Sequence, residues 1–200
     1  MAKLLVIYAH PGQRFSRANS AMADVAKAVD GITFVDLYAE YPRHDIHVHK
    51  EQERLVEHDV ILFQFPFYWY STPSLIKEWQ DLVLQHGFAY GSKGMALAGK
   101  TMMLALTAGG PIDAYSTGGH NNHEIRDFLT PLQQTATLCK MSFSDPYVLF
   151  ASLAAEAEEK ITAHAAGYAQ ILAAIRDDAY DLSDKGGFVV ADQVAARIKG

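Results

Sequence analysis

The sequence predicts an α/β fold: an open, doubly wound sheet of five parallel strands in the order 2-1-3-4-5, with helices on both faces. Two observations carry this expectation. Short apolar runs alternate five times with segments of helical period, the pattern of a parallel sheet with crossover helices. The central run, Asp59 to Phe65 (DVILFQF), is nearly apolar throughout, as a parallel strand covered on both faces must be. Right-handed crossovers then favour the doubly wound order.

The elements follow in sequence. Lys3 to Ala9 reads as the first strand. A helix starts near Ser16, placing Ala18, Met22, Val25, Ala26 and Val29 on one face at three- and four-residue spacing, and Gly31 ends it. Ile32 to Leu37 is the second strand. A polar loop from Tyr38 to Val48 precedes a short helix over Lys50 to Glu57, and Asp59 to Phe65 is the third strand. Pro73 opens the next helix at its first turn, with Leu75, Ile76, Trp79, Leu82 and Val83 as its buried stripe. Thr101 to Thr107 is the fourth strand, followed by a helix over His123 to Leu138. Met141 to Phe150 holds a fifth strand, broken or bent near Pro146. A last helix spans Ala154 to Arg176. Residues 1–200 read as a single domain, with 177–200 as a peripheral tail and Gly186-Gly187 as a flexible point.

The composition narrows the function classes. With 17 Lys+Arg against 23 Asp+Glu, the net charge of −6 argues against a general nucleic-acid binder, which must displace counterions. Cys139 is the single cysteine, so no intrachain disulfide forms and a reducing compartment fits. No apolar stretch reaches the roughly 18 residues of a spanning helix. A cytoplasmic protein is expected, with peripheral attachment to a membrane protein still open.

In such a sheet a ligand lies beyond the carboxyl ends of the strands, where the winding reverses. The loops after strands one, three and four are therefore the candidate site. The first runs His10-Pro11-Gly12-Gln13-Arg14-Phe15 into Ser16-Arg17-Ala18-Asn19. Ser16 is a good N-cap, and free N–H groups with partial positive charge at a helix start hold a phosphate. The same segment also reads as an ordinary capped turn. The second loop, Pro66-Phe67-Tyr68-Trp69-Tyr70-Ser71-Thr72-Pro73, has four consecutive aromatics. A flat conjugated ligand gives them something to cover, and so does a dimer interface. The third loop, Thr107-Ala108-Gly109-Gly110-Pro111, has paired glycines that admit close backbone approach or simply turn the chain. Tyr115 and His120 beyond it can each donate or relay a proton, or stand as exposed loop residues. His44, His47 and His49 alternate, which on an extended chain sets three rings on one side; without cysteine or further carboxylates, no metal site is expected. Cys139 reads as buried and inert.

Taken together, YAHP at 8–11, S-x-x-N at 16–19, FQFPFYWYSTPSLIKEWQD at 63–81, HGFAYG at 86–91 and TAGGP at 107–111 resemble the flavodoxin-like NAD(P)H:quinone oxidoreductases. The likeness spans about residues 3 to 150. It is strongest to the short bacterial members, which include ancillary subunits of glutathione-gated potassium efflux systems. The resemblance implies a noncovalent flavin: FMN, which the short members use, with FAD, which the longer ones bind, as the alternative. It sets His10, Ser16, Arg17, Ala18 and Asn19 at the phosphate and ribityl end. It lays Phe67, Tyr68, Trp69 and Tyr70, after Pro66, along the ring system, and Thr107, Ala108, Gly109 and Gly110 over the pyrimidine side. It implies hydride transfer from NADH or NADPH to the flavin and then to a quinone, with Tyr115 and His120 as catalytic residues, in a homodimer. Ala108 departs from the threonine often found there, and His120 falls one residue short of the spacing in the longer enzymes. The alternative the family offers is a flavin-binding regulatory subunit of a potassium efflux transporter.

Overall fold

The computed structural model describes residues 1–12, 16–154 and 157–199; the expectations placed on Gln13, Arg14 and Phe15 lie outside them. Its strands are β1 (Leu4–Tyr8), β2 (Thr33–Asp36), β3 (Val60–Pro66), β4 (Thr101–Thr107), β5 (Ser142–Phe143) and β6 (Tyr147–Leu149). All pairings are parallel, in the order β2-β1-β3-β4-β5, and β6 also pairs with β4. The expected fifth strand is thus two short ones. β5 lies against the start of β4 (Thr101 opposite Ser142) and β6 against its end (Thr107 opposite Leu149), with Ser144 to Pro146 between them.

The helices are α1 (Arg17–Ala28), α2 (Leu37–Glu40), α3 (Val48–Glu57), α4 (Ser74–Val83), α5 (Ile125–Leu138) and α6 (Ala157–Arg176). Alternation along the strands sorts the core into two layers, because successive side chains of a strand point to opposite faces. Leu5, Ile7, Ile61, Phe63, Leu104 and Leu106 pack with Leu55, Ile76, Trp79 and Leu129 from α3, α4 and α5. Leu4, Val6, Val60, Leu62, Met103 and Ala105 pack with Met22, Ala26, Tyr168 and Ile171 from α1 and α6.

Three expectations are corrected. The segment 38–48 is not all loop, since α2 is a helical turn capped by the Asp36 carboxylate, which accepts from the Ala39 N–H. Leu82 is 40% exposed and leaves the buried stripe of α4 to Leu75, Ile76, Trp79 and Val83. The chain after 177 carries buried Tyr180, Val189 and Val194. Val189 pairs with Tyr147 as a further parallel bridge, its N–H donating to the Pro146 carbonyl and its carbonyl accepting from the Val148 N–H. Gly167 makes room for this docking. A Cβ there would meet Tyr147 Oη at 2.6 Å and Val194 Cγ2 at 3.3 Å.

The three alternating histidines do not converge. His47 caps α3 by accepting from the Lys50 N–H. His49 lies beside Glu53 on that helix, and His44, at φ +58°, turns to Glu78. Cys139 is buried, and burial raises its thiol pKa.

Candidate functional site

The carboxyl ends of β1, β3 and β4 carry the three loops to one place. They enclose a cavity of about 500 Å³ lined by His10, Ser16, Arg17, Ala18, Asn19, Pro66, Phe67, Tyr68, Trp69, Thr107 and Gly109. A second cavity of about 430 Å³ shares Phe67, Trp69 and Gly109 and adds Tyr70, Gly110, Tyr115 and His120. Every expected site residue except Ala108 lines one or the other. Ala108 is fully buried, its N–H donating to the Leu149 carbonyl and its carbonyl accepting from the Ser152 N–H. It therefore has neither surface nor a free backbone group to offer.

The floor of the cavity is a chain of amides. Ser16 caps α1, its Oγ accepting from the Asn19 N–H. Asn19, 1% exposed, donates from Nδ2 to Thr107 Oγ1 at 2.8 Å, and its carbonyl accepts from Gln64 Nε2 at 3.1 Å. These bonds tie α1 to the ends of β3 and β4. Asn19 Oδ1 and Gln64 Oε1 remain without partners among the described residues. The first N–H groups of α1 have no intrahelical acceptor, as in any helix. Arg17 sits beside Glu158 at 3.2 Å, with both side chains solvated.

His10 is buried, and burial holds its pKa below the ordinary histidine value. Its Nδ1 accepts from the Gly12 N–H at 3.1 Å, so the proton of the neutral ring is on Nε2, 3.3 Å from Tyr68 Oη. That N–H donates to the phenol and leaves the Tyr68 hydroxyl proton free to go elsewhere.

Tyr68 to Ser71 form a tight turn, closed by the Ser71 N–H on the Tyr68 carbonyl at 2.9 Å. Its two central residues are left-handed, Trp69 at φ +49° and Tyr70 at φ +62°. Such positions ordinarily take Asn, Asp or Gly. Bulky residues there store strain, which concentrates at functional sites. Trp69 is 94% exposed, while Tyr70 stacks on Phe128 (5.0 Å, 23°) and donates to Asn121 Oδ1 at 3.1 Å. Among the described residues, the N–H groups of Trp69, Tyr70, Gly109 and Gly110 donate to nothing.

Tyr115 follows a 3-10 turn (Ile112–Ala114) and is half-buried among the rings of Phe67 (6.2 Å), Phe128 (6.3 Å) and Phe150 (5.6 Å). Burial, then the nearby Tyr70, raises its pKa, so the phenol keeps its proton at neutral pH. His120 lines the same cavity from an exposed loop. Gly12, Ser152 and Leu153 also line the first cavity. Ser152 and Leu153 follow β6, and inspecting the loop after the fifth strand, on the same edge of the sheet, would have found them. A Cβ on Gly109 would come within 3.1 Å of Leu153 Cδ1, so the glycine leaves space for that side chain.

An open, doubly wound parallel sheet in the order β2-β1-β3-β4-β5, with a cleft at its β1/β3 switch point, marks the flavodoxin-like class of α/β proteins. The chain belongs to the Flavodoxin_2 family, described as having a flavodoxin-like fold, which matches residues 2–172. A glutathione-regulated potassium-efflux system ancillary protein, KefG, of Serratia proteamaculans is 43% identical over 166 residues, 83% of this chain and 90% of that protein. The general stress protein 14 of Treponema denticola, solved in complex with FMN, superposes with a TM-score of 0.78 at 33% identity, covering 88% of this chain and 98% of the other. An NADPH-quinone reductase of P. pentosaceus superposes at 0.73 with 27% identity, covering 84% and 96%.

Proposed function

We propose that the protein is a flavin-dependent NAD(P)H:quinone oxidoreductase that holds FMN in the larger cavity. The observation that carries this reading is the convergence of a helix start, an aromatic turn and a glycine pair on two adjoining cavities that share Phe67, Trp69 and Gly109, where the N–H groups of the turn's central residues and of the glycine pair have no partner among the described residues. These parts fit the three parts of the cofactor: α1's first turn its phosphate, Asn19 and Thr107 its polar chain, and the aromatic turn its ring plane. Bound there, FMN would supply the chemistry of hydride exchange between NADH or NADPH and a quinone. The Treponema complex supports FMN rather than FAD, and the P. pentosaceus reductase supports a quinone acceptor.

The chain's own residues bind, orient and handle protons. The N–H groups of Trp69 and Gly109, which line the larger cavity and have no partner among the described residues, are donors for the polar edge of the ring and stabilise negative charge that builds there, with those of Tyr70 and Gly110 beside them in the adjoining cavity. Tyr68 adds its hydroxyl, turned outward by His10. NAD(P)H and quinone use the second cavity in turn. There Tyr115, kept protonated by burial, donates to the oxygen of the acceptor as charge develops, with His120 beside it. A homodimer is part of the proposal, since exposed Trp69 and Leu153 rim the cleft with apolar surface that a second copy would cover. We place the protein in the cytoplasm, where the single cysteine, Cys139, fits a reducing compartment.

The second reading, a flavin-binding regulatory subunit of a glutathione-gated potassium efflux transporter, is favoured by the Serratia relative and is compatible with the first. An absorption spectrum tests both. The purified protein is expected to be yellow or to become so with FMN, and to bleach anaerobically with NADH or NADPH. Failure to bind either FMN or FAD would end both readings. Flavin without turnover, together with co-purification of a transporter, would leave the second.

A further inference from the structure

The family match ends at residue 172, yet the chain beyond it is docked on the sheet. The dock is highly specified. Asp145, 1% exposed, accepts from the N–H groups of Lys185 (3.1 Å) and Gly187 (3.1 Å) and pairs with Arg197. Arg126 of α5 holds Asp184 through both carboxylate oxygens, at 3.0 and 2.8 Å. Val189 is bonded on both sides, to Pro146 and Val148. Phe188 lies between two pinned residues, so its backbone has little freedom. Its ring meets Phe150 at 5.2 Å, edge to face, and Phe150 in turn meets Tyr115 at 5.6 Å. The 3-10 turn that leads into Tyr115 abuts the same segment: Ile112, Val190 and Ala191 line one groove.

We infer that Phe188, in the C-terminal segment outside the family match, is a positioning residue that sets the Tyr115 phenol through Phe150. The inference rests on the proposed function for its catalytic consequence, but the physical coupling stands on the ring contacts alone. Tyr115 reaches its place on an irregular loop, and a loop side chain keeps one orientation only where its neighbours hold it. Phe128 and Phe67 back it from the side of α5 and the aromatic turn, and Phe150 from the side of β6. Phe150 is itself backed by Phe188. Removing that last ring opens a void behind Phe150, into which Phe150 and then the phenol relax. Displacements of about 1 Å at a reacting group can slow a reaction by ten- to a hundredfold.

The test uses the full chain with 3-fluorotyrosine incorporated, the Tyr115 fluorine resonance being assigned as the one lost in Tyr115→Phe. In Phe188→Ala this resonance should shift, and in Phe188→Leu, which keeps most of the volume, it should return toward its original position. Thermal melts of both variants check folding. With FMN bound, quinone-driven reoxidation should slow about three- to tenfold in Phe188→Ala, a share of the roughly tenfold or greater cost of misplacement, and the effect should vanish when Tyr115→Phe is already present. An unmoved Tyr115 resonance in folded Phe188→Ala overturns the inference. So does an equal slowing in both backgrounds, since that is what a general loss of stability produces. The resonance is read without flavin, so absent turnover in the unmodified protein would remove the functional proposal while leaving this coupling to be judged on its own.

Discussion

Glu51 and Asn19 are both buried polar residues on helices that flank the sheet, on opposite faces, and they differ in how far their hydrogen-bonding capacity is filled. The Glu51 carboxylate is fully enclosed and accepts from Tyr41 Oη at 2.7 Å, from Trp79 Nε1 at 2.9 Å and from Arg54. Asn19 leaves Oδ1 unpaired among the described residues, and so does its neighbour Gln64 with Oε1. The cluster under α3 is complete within the chain. The cluster under the cleft stops short, next to a strained aromatic turn and a row of idle N–H groups. One region is built to hold the fold regardless of what is bound. The other retains polar capacity beside the space where a ligand would sit.

The largest test of this contrast is Glu51→Ala. It removes the acceptor from Tyr41 and Trp79 and one of the two carboxylates around Arg54. Urea unfolding should show a loss of about 3–5 kcal/mol, the cost of breaking a buried ionic cluster from one side. FMN affinity of the remaining folded protein should be unchanged; a weakened affinity would mean that the two regions are not separate.

His164 challenges the contrast from another side, because its Nε2 is unpaired among the described residues although it lines neither cavity of the cleft, with its ring stacked 3.9 Å from Tyr147. Burial pushes its pKa down to about 3, below the unfolded value near 6.5. The native state therefore keeps its full stability above about pH 6.5 and loses it as pH falls toward 3. At pH 4 the loss is on the order of 3 kcal/mol. In His164→Phe that part of the acid sensitivity should disappear, as read by urea midpoints at pH 7 and pH 4. A profile that keeps the wild-type slope would show that this ring is not the acid-sensitive group.

At the cleft, Tyr115→Phe keeps the ring packing and removes the donor. Stopped-flow reoxidation by a quinone should slow by roughly ten- to a thousandfold with flavin content unchanged. Wild-type rates in both half-reactions would reduce Tyr115 to a packing residue. The smallest effect is expected at Trp69→Asn. The substitution relieves a left-handed tryptophan and loses almost no packing, since the side chain is solvent-exposed. Stability should rise by about 1 kcal/mol while FMN binding weakens. A gain in both would detach the strained turn from ligand binding.

The parts legible in the sequence were those written in local pattern. β1, β3 and β4 stood out because both faces of each are covered, and the three loops followed from where such strands end. Ser16 as a cap and the four aromatics were readable for the same reason. Leu82 fits the helical spacing as well as its neighbours do, and no arithmetic of spacing shows that it faces solvent. Nothing in Trp69-Tyr70 announces a left-handed turn, because the usual Asn-Gly signal is absent. The role of Asp145 was invisible for a different reason: besides Arg197, its donors are backbone N–H groups about forty residues away, and a backbone N–H has no sequence signature. Ala108 was assigned to the ligand although both of its backbone groups are spent on the β6 side.

Val189 also has a consequence for the sheet as a growing object. A parallel sheet has two open margins, and an open margin is a template on which another chain can add a strand. At one margin β2 is only four residues long and ends in Asp36. At the other, the Val148 N–H and the Pro146 carbonyl are already taken by Val189. Both borders are thus blunted, one by brevity and charge and one by the chain's own last residues. Unfastening the Asp145 anchor would return β6 to the status of a bare edge, so variants there should be screened for strand-mediated self-association as well as for lost stability.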